Sequence, residues 1–215
     1  MAVHMLDFER RLHSVLKAHP AKHVALDGAK HAAVLIPIVA VPEPTLIFTV
    51  RTETLPSHKG QISFPGGSID TEDADAAAGA LREGEEEIGL EPSKVRIVGE
   101  LDSFPTFVSG YVVSPFVGWL DEEPELTPNP GEVAEILLVP IAELVEDIRE
   151  EAGFEHAGRT YPTEAWVWNG RVIWGVTARI IRQFLERLAE AGLTEQPGET
   201  MSWPTGDPST WRISS

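Results

Sequence analysis

The sequence predicts an α/β fold, and three observations carry that expectation. Ala32 to Val41 is a nearly continuous apolar run with β-branched residues, the pattern of a buried strand. Amphipathic helical spacing recurs at about Leu6 to Ala18, Ala74 to Ile88 and Trp174 to Ala191. Between these helices lie further strand patterns, separated by proline- and glycine-rich turns.

In chain order, the first helix turns Leu12, Val15 and Leu16 toward a core. His4, His13, His19 and His23 scatter around it at no ligand-like spacing and read as surface residues. After the strand at 32–41, Pro42 and Pro44 mark a turn, and Thr45 to Val50 is its neighbour. Val95 to Phe104 and Tyr111 to Leu120 form a strand pair around the loop Pro105 to Gly110. Phe104, Phe107 and Tyr111 either line an aromatic pocket or belong to the core. Asp121 to Gly131, with four acidic residues and three prolines, is a loop. Glu132 to Pro140 reads as a strand leading into a helix from Ile141 to about Glu150. Asn169-Gly170 centres a hairpin over Trp166 to Trp174. The last helix places Ile180, Ile181, Phe184, Leu185 and Leu188 at apolar positions. From Gly192 onward small and polar residues dominate, so one domain over 1–192 and a flexible tail over 193–215, with Trp203 and Trp211, are expected.

The chemistry concentrates in Phe64 to Leu90. A Phe64-Pro65-Gly66-Gly67 turn precedes an acidic stretch, with Asp73 as expected N-cap and Gly89 as expected stop of the helix. At about 100° per residue, Glu83, Glu86 and Glu87 share one face, beside an apolar face of Ala77, Leu81, Gly84 and Ile88. Carboxylates at these spacings repel. Such a face is either simply solvated or relieved by a hard divalent cation, Mg²⁺ or Mn²⁺.

This segment resembles the Nudix box, G-x5-E-x7-R-E-U-x-E-E-x-G-U with U apolar. Arg82 to Leu90 matches except for Gly84 at an apolar position. Gly67 to Asp73 keeps the spacing with Asp for Glu, but eight residues rather than seven separate Asp73 from Arg82. The resemblance implies the Nudix α/β/α sandwich, a mixed sheet between helices, over about 32–188. It implies hydrolysis of a nucleoside diphosphate-linked substrate, with Glu83, Glu86 and Glu87 on the metal and a Gly66 or Gly67 carbonyl completing its coordination. Arg82 would position a carboxylate through an ion pair, and Glu86 or Glu132 would accept the proton. Glu132 fits that role and that of a solvated loop acid equally.

Flanking phrases are similar to the coenzyme A pyrophosphatase group, whose pattern runs roughly L-L-T-x-R-S/A-x3-R-x3-G-x3-F-P-G-G. Ile47-Phe48-Thr49, Arg51, Gly60 and Phe64-Pro65-Gly66-Gly67 match it, while Thr52 and Pro56 depart. Ser109-Gly110-Tyr111-Val112-Val113-Ser114-Pro115 and the start Trp174-Gly175-Val176-Thr177-Ala178 carry the same likeness. It implies cleavage of coenzyme A into 3′-phosphoadenosine monophosphate and 4′-phosphopantetheine. Arg51 and Lys59 (or His58) are then the cations for substrate phosphates, and Phe104 and Phe107 the groove for the uncharged arm. The alternatives are a broader nucleoside-diphosphate-X or nucleoside-triphosphate pyrophosphohydrolase and a non-catalytic nucleotide sensor. Retention of Arg82 and all three box glutamates favours an enzyme.

Composition excludes other classes. With 17 basic and 34 acidic residues among 215, the net charge of −17 repels nucleic acid and anionic membranes. The expected partner is a small phosphorylated nucleotide. No apolar run has the length of a membrane span, and the start lacks a secretory layout. Absence of cysteine rules out disulfides and thiolate metal sites and fits a cytoplasmic location.

Overall fold

A computed structural model describes residues 2–40, 42–53, 60–106, 110–156 and 159–197. In order, it forms α1 (Ala2–Ala18), β1 (Lys30–Val39), β2 (Thr45–Arg51), β3 (Ile62–Ser63), β4 (Gly66–Ser68), α2 (Ala76–Ile88), β5 (Arg96–Glu100), β6 (Phe104–Pro105), β7 (Tyr111–Leu120), β8 (Val133–Pro140), β9 (Val145–His156), β10 (Arg159–Trp168), β11 (Arg171–Trp174) and α3 (Val176–Glu190). The main sheet is mixed: β1 and β7 run parallel from Lys30↔Tyr111 to Val39↔Leu120, and the other pairings are antiparallel.

Helices cover both faces of this sheet, and β1 shows why its sequence is apolar throughout. Ala32, Ile36, Ile38 and Ala40 face one core cluster with Phe8, Leu12 and Leu16 of α1 and Ile180, Phe184 and Leu188 of α3. Ala33, Leu35 and Val39 point the other way, into a second cluster with Ala80 and Ile88 of α2. A strand buried on both sides has no polar face to alternate with. This is the expected sandwich, with three helices around a mixed sheet.

One pairing feature positions the site. β1 and β2 pair at Ile38↔Leu46 and Val39↔Thr45 and then diverge. Into the fork, β3 follows β2 through Thr49↔Ser63, and β4 follows β1 through Val34↔Gly66 to Ala32↔Ser68. The Gly66-Gly67 backbone is therefore held in the sheet, under α2.

Two expectations are corrected. The region expected as a helix over Ile141 to Glu150 is a short 3-10 turn, Ile141–Glu143, followed by β9. Its apolar spacing suits a helix locally, but β9 pairs along β10, from Val145↔Val167 to Arg159↔His156, and a cross-strand ladder overrides such weak local preference. The resulting antiparallel sheet, β11-β10-β9, is additional to the main one. Its Asn169-Gly170 turn is as expected, both residues having positive φ, 48° and 75°. The N-cap of α2 is Asp75, not Asp73: its carboxylate accepts from Ala78 N–H at 2.8 Å. Gly89 ends α2 in the left-handed conformation, as expected. Within the expected tail, Leu193 packs on the core, and 198–215, with Trp203 and Trp211, lie outside the described residues.

Candidate active site

The two glycines of β4 serve different contacts. A Cβ on Gly66 would fall 2.4 Å from the Ala33 carbonyl oxygen and 2.6 Å from Val34 Cα, so this residue is what lets β4 lie against β1. A Cβ on Gly67 would fall 2.6 Å from the Glu83 carboxylate carbon. The missing side chain lets Glu83 rest directly on the loop backbone.

The three carboxylates of the shared face of α2 differ sharply in burial. Glu86 is 58% exposed, Glu83 15% and Glu87 only 3%. Gly66 N–H donates to Glu87 Oε2 at 3.3 Å, and Arg51 Nη1 stands 3.8 Å from Glu87 Oε1. Burial pushes the Glu87 carboxyl up to about 7, against the opposing pull of Arg51 and the Gly66 N–H. Burial also raises Glu83, opposed by Arg82 and reinforced by the charges of Glu86 and Glu132. Glu132 is thus electrostatically part of the cluster, though far from it in sequence. The loop before it delivers it there: Thr127 N–H and Asn129 N–H donate to the Ile88 and Glu87 carbonyls at the open end of α2. Thr52 N–H then takes the Glu132 carbonyl at 2.9 Å.

Arg82 ties the cluster together. Its guanidinium donates to Glu83 Oε1 (3.0 Å), Glu86 Oε2 (3.2 Å), the Ser68 carbonyl (3.0 Å) and both oxygens of Asp73 (3.0 and 3.2 Å). Asp73 is therefore the acidic partner of Arg82 despite the longer spacing. Its bond from Arg82, with a second from Asp70 N–H, holds its carboxyl below the usual carboxylate range. Sequence reading missed this pairing. It also missed Gly79, where a Cβ would fall 2.9 Å from Asp73 Oδ2 and obstruct the approach.

The other expected residues separate. Arg51 lies beside Glu87, and its Nε is buried without a hydrogen-bond partner. Phe104 pairs with Val113, packs partly against the core and carries the Arg179 guanidinium 5.0 Å above its ring. Lys59 and Phe107, with Pro56 and His58, lie outside the described residues.

Among the described residues, no three carboxylates close on a single point. Arg82 holds Glu83 and Glu86, while Glu87 turns to Gly66 and Arg51. The donor set nonetheless fits a hard divalent cation. It offers only oxygen ligands, includes a buried carboxylate whose charge is poorly compensated, and has no side chain between Glu83 and the loop carbonyls.

The NUDIX domain profile matches residues 29–161. The "Uncharacterized Nudix hydrolase NudL" of Photorhabdus laumondii is 37% identical over 187 residues, covering 86% of this chain and 98% of that protein. Its namesake in Escherichia coli K12 is 38% identical over 165 residues, 72% of this chain and 80% of the other. A MutT/nudix family protein from Enterococcus faecalis shares the fold, with a TM-score of 0.52 and 14% identity over 88% of this chain and 74% of its own. Nudix hydrolases generally use divalent metal ions. The chain belongs to the Nudix hydrolase family and is a pyrophosphohydrolase.

Proposed function

We propose that this enzyme hydrolyses the diphosphate of coenzyme A or a close derivative, with Mg²⁺ or Mn²⁺, to 3′-phosphoadenosine monophosphate and 4′-phosphopantetheine. The observation that carries the chemistry is the Glu83 carboxylate laid on Gly67, with Glu87 buried behind it and Arg51 alongside. Glu83, Glu86 and Glu87, with the Gly67 carbonyl, would hold the cation. When bound, the cation supplies charge neutralisation at phosphorus and acidifies the attacking water. Arg82 keeps Glu83 and Glu86 oriented. Arg51 directs its guanidinium to the diphosphate oxygens, for which its geometry suits bidentate contact. Water attacks phosphorus, the bridging P–O bond breaks, and Glu132 or Glu86 accepts the proton of the water. Glu132 suits this role because it is half-buried, outside the Arg82 network, and close enough for its charge to act on Glu83 and Glu87.

The substrate reading is supported by the Ile47-to-Gly67, Ser109-to-Pro115 and Trp174-to-Ala178 phrases. Phe104, and Phe107 three residues on in sequence, offer the apolar contact for the pantetheine arm, and Lys59 a further cation. A substrate panel tests it: coenzyme A, its oxidised and acylated forms, ADP-ribose, NADH, dinucleoside polyphosphates and dNTPs, compared by kcat/KM with each metal. Coenzyme A or a derivative is expected to lead. A far better rate with ADP-ribose or a dNTP refutes the substrate and leaves the chemistry intact.

A further inference from the structure

A second polar cluster borders the loop across β1, and the reacting carboxylates make no use of it. Lys30 and Tyr111 are register partners at the start of the parallel β1–β7 pair, with Lys30 Nζ 5.7 Å from the Tyr111 ring centroid. The Tyr111 hydroxyl lies 3.3 Å from Ser68 Oγ. Ser68 directly follows Gly67, and its carbonyl accepts from Arg82. Ser68 therefore joins the carboxylate cluster on one side to Tyr111 and Lys30 on the other. Along β1, Lys30 stands two residues from Ala32, the partner of Ser68, a span of roughly 7 Å.

The charge balance makes this lysine informative. In a chain with 34 acidic and 17 basic residues, Lys30 is exposed and forms no ion pair among the described residues. The nearest carboxylate by register is Asp70, one residue beyond the Ile69 N–H to His31 carbonyl bond, and Asp70 turns to Arg82 at 3.7 Å. An unneutralised ammonium over the Tyr111 ring, whose hydroxyl meets that of Ser68, matches a phosphate monoester, which needs a cation and hydrogen-bond donors. Arg51, set against Glu87, is assigned above to the reacting diphosphate, so among the described residues a remote phosphate calls for another cation.

We propose that Lys30, with the Tyr111 and Ser68 hydroxyls, binds the ribose phosphate of the substrate, remote from the scissile diphosphate. This deepens the coenzyme A reading and rests on it. The test measures binding of adenosine 3′,5′-bisphosphate and of 5′-AMP by calorimetry, alongside kcat/KM for coenzyme A and 3′-dephospho-coenzyme A. Wild type is expected to favour the bisphosphate by about tenfold or more, the worth of a charge-assisted contact. Lys30→Ala should bring that preference near unity, raise KM for coenzyme A with kcat little changed, and spare the dephospho substrate. Lys30→Arg should restore much of the preference, and Tyr111→Phe should lose part of it.

A preference absent in wild type, unchanged in Lys30→Ala, or lost in Arg179→Ala instead overturns the proposal. If wild type cleaves no coenzyme A but its Lys30-dependent preference persists, the substrate reading falls and the subsite stands. If coenzyme A is cleaved with KM indifferent to Lys30, the subsite falls and the substrate reading stands.

Discussion

Replacing each glycine of the loop by alanine separates the folding role of β4 from its catalytic one. In Gly67→Ala the new Cβ meets the Glu83 carboxylate carbon at 2.6 Å, whereas ordinary contact begins at 3.4 Å. The carboxylate must retreat by about 0.8 Å. It can do so, being the far end of a flexible side chain, so the fold should lose no more than about 1 kcal/mol. Catalysis should not escape. A displacement of about 1 Å in a positioned group costs on the order of 100-fold, near 2.7 kcal/mol in activation free energy. In Gly66→Ala the obstruction is backbone, the Ala33 carbonyl at 2.4 Å and Val34 Cα at 2.6 Å, and neither can swing away. Overpacking of this kind costs about 1–3 kcal/mol or more, a fall in Tm of roughly 2–12 °C for a chain of this size. Thermal unfolding with kcat/KM at saturating Mn²⁺ reads both variants. A Gly67→Ala enzyme with wild-type rates, or one as unstable as Gly66→Ala, refutes the placement of Glu83 on the loop.

Single Gln replacements at Glu83 and Glu86 should each reduce turnover by at least about 100-fold with the fold kept by circular dichroism, and near-normal rates in both would exclude the mechanism. Asp75→Ala should cost about 1 kcal/mol through loss of the α2 cap and leave kcat/KM within a factor of about two. Asp73→Asn should do the reverse, lowering kcat/KM by about tenfold or more as Arg82 loses its bidentate partner, because Arg82 also holds Glu83 and Glu86. For Glu87, whose folded carboxyl titrates near 7 against an ordinary 4.5, the unfolded chain loses the proton first. Metal-free stability should therefore fall as pH rises from 4.5 through 7, by on the order of 3 kcal/mol, and stay lower above. Urea unfolding in EDTA should show Glu87→Gln gaining that amount relative to wild type between pH 4.5 and 8, whereas a pH-independent difference counts against the burial argument. Mn²⁺ at about 100 times its Kd should add about 2.7 kcal/mol to wild type, and Glu83→Gln should lose most of that gain in a thermal shift assay.

Local features were legible from the residues alone. Helix periodicity put Glu83, Glu86 and Glu87 on one face of α2, and Gly89 marked its end, because both depend only on residues within a turn or two. The unbroken apolar run of β1 announced a strand covered on both sides, and Asn169-Gly170 announced its hairpin, for the same reason. The rest depends on contacts between segments distant in sequence. Residues 141–150 spell a plausible helix until a distant strand offers a ladder to pair with. The change of cap from Asp73 to Asp75 frees Asp73 for Arg82, a closure that motif spacing obscured because the chain between them folds back rather than counting residues. Glu132 reaches the carboxylates through loop bonds to the end of α2. Lys30, Ser68 and Tyr111 meet because β4 and β7 flank β1, and no local pattern encodes which strands lie side by side.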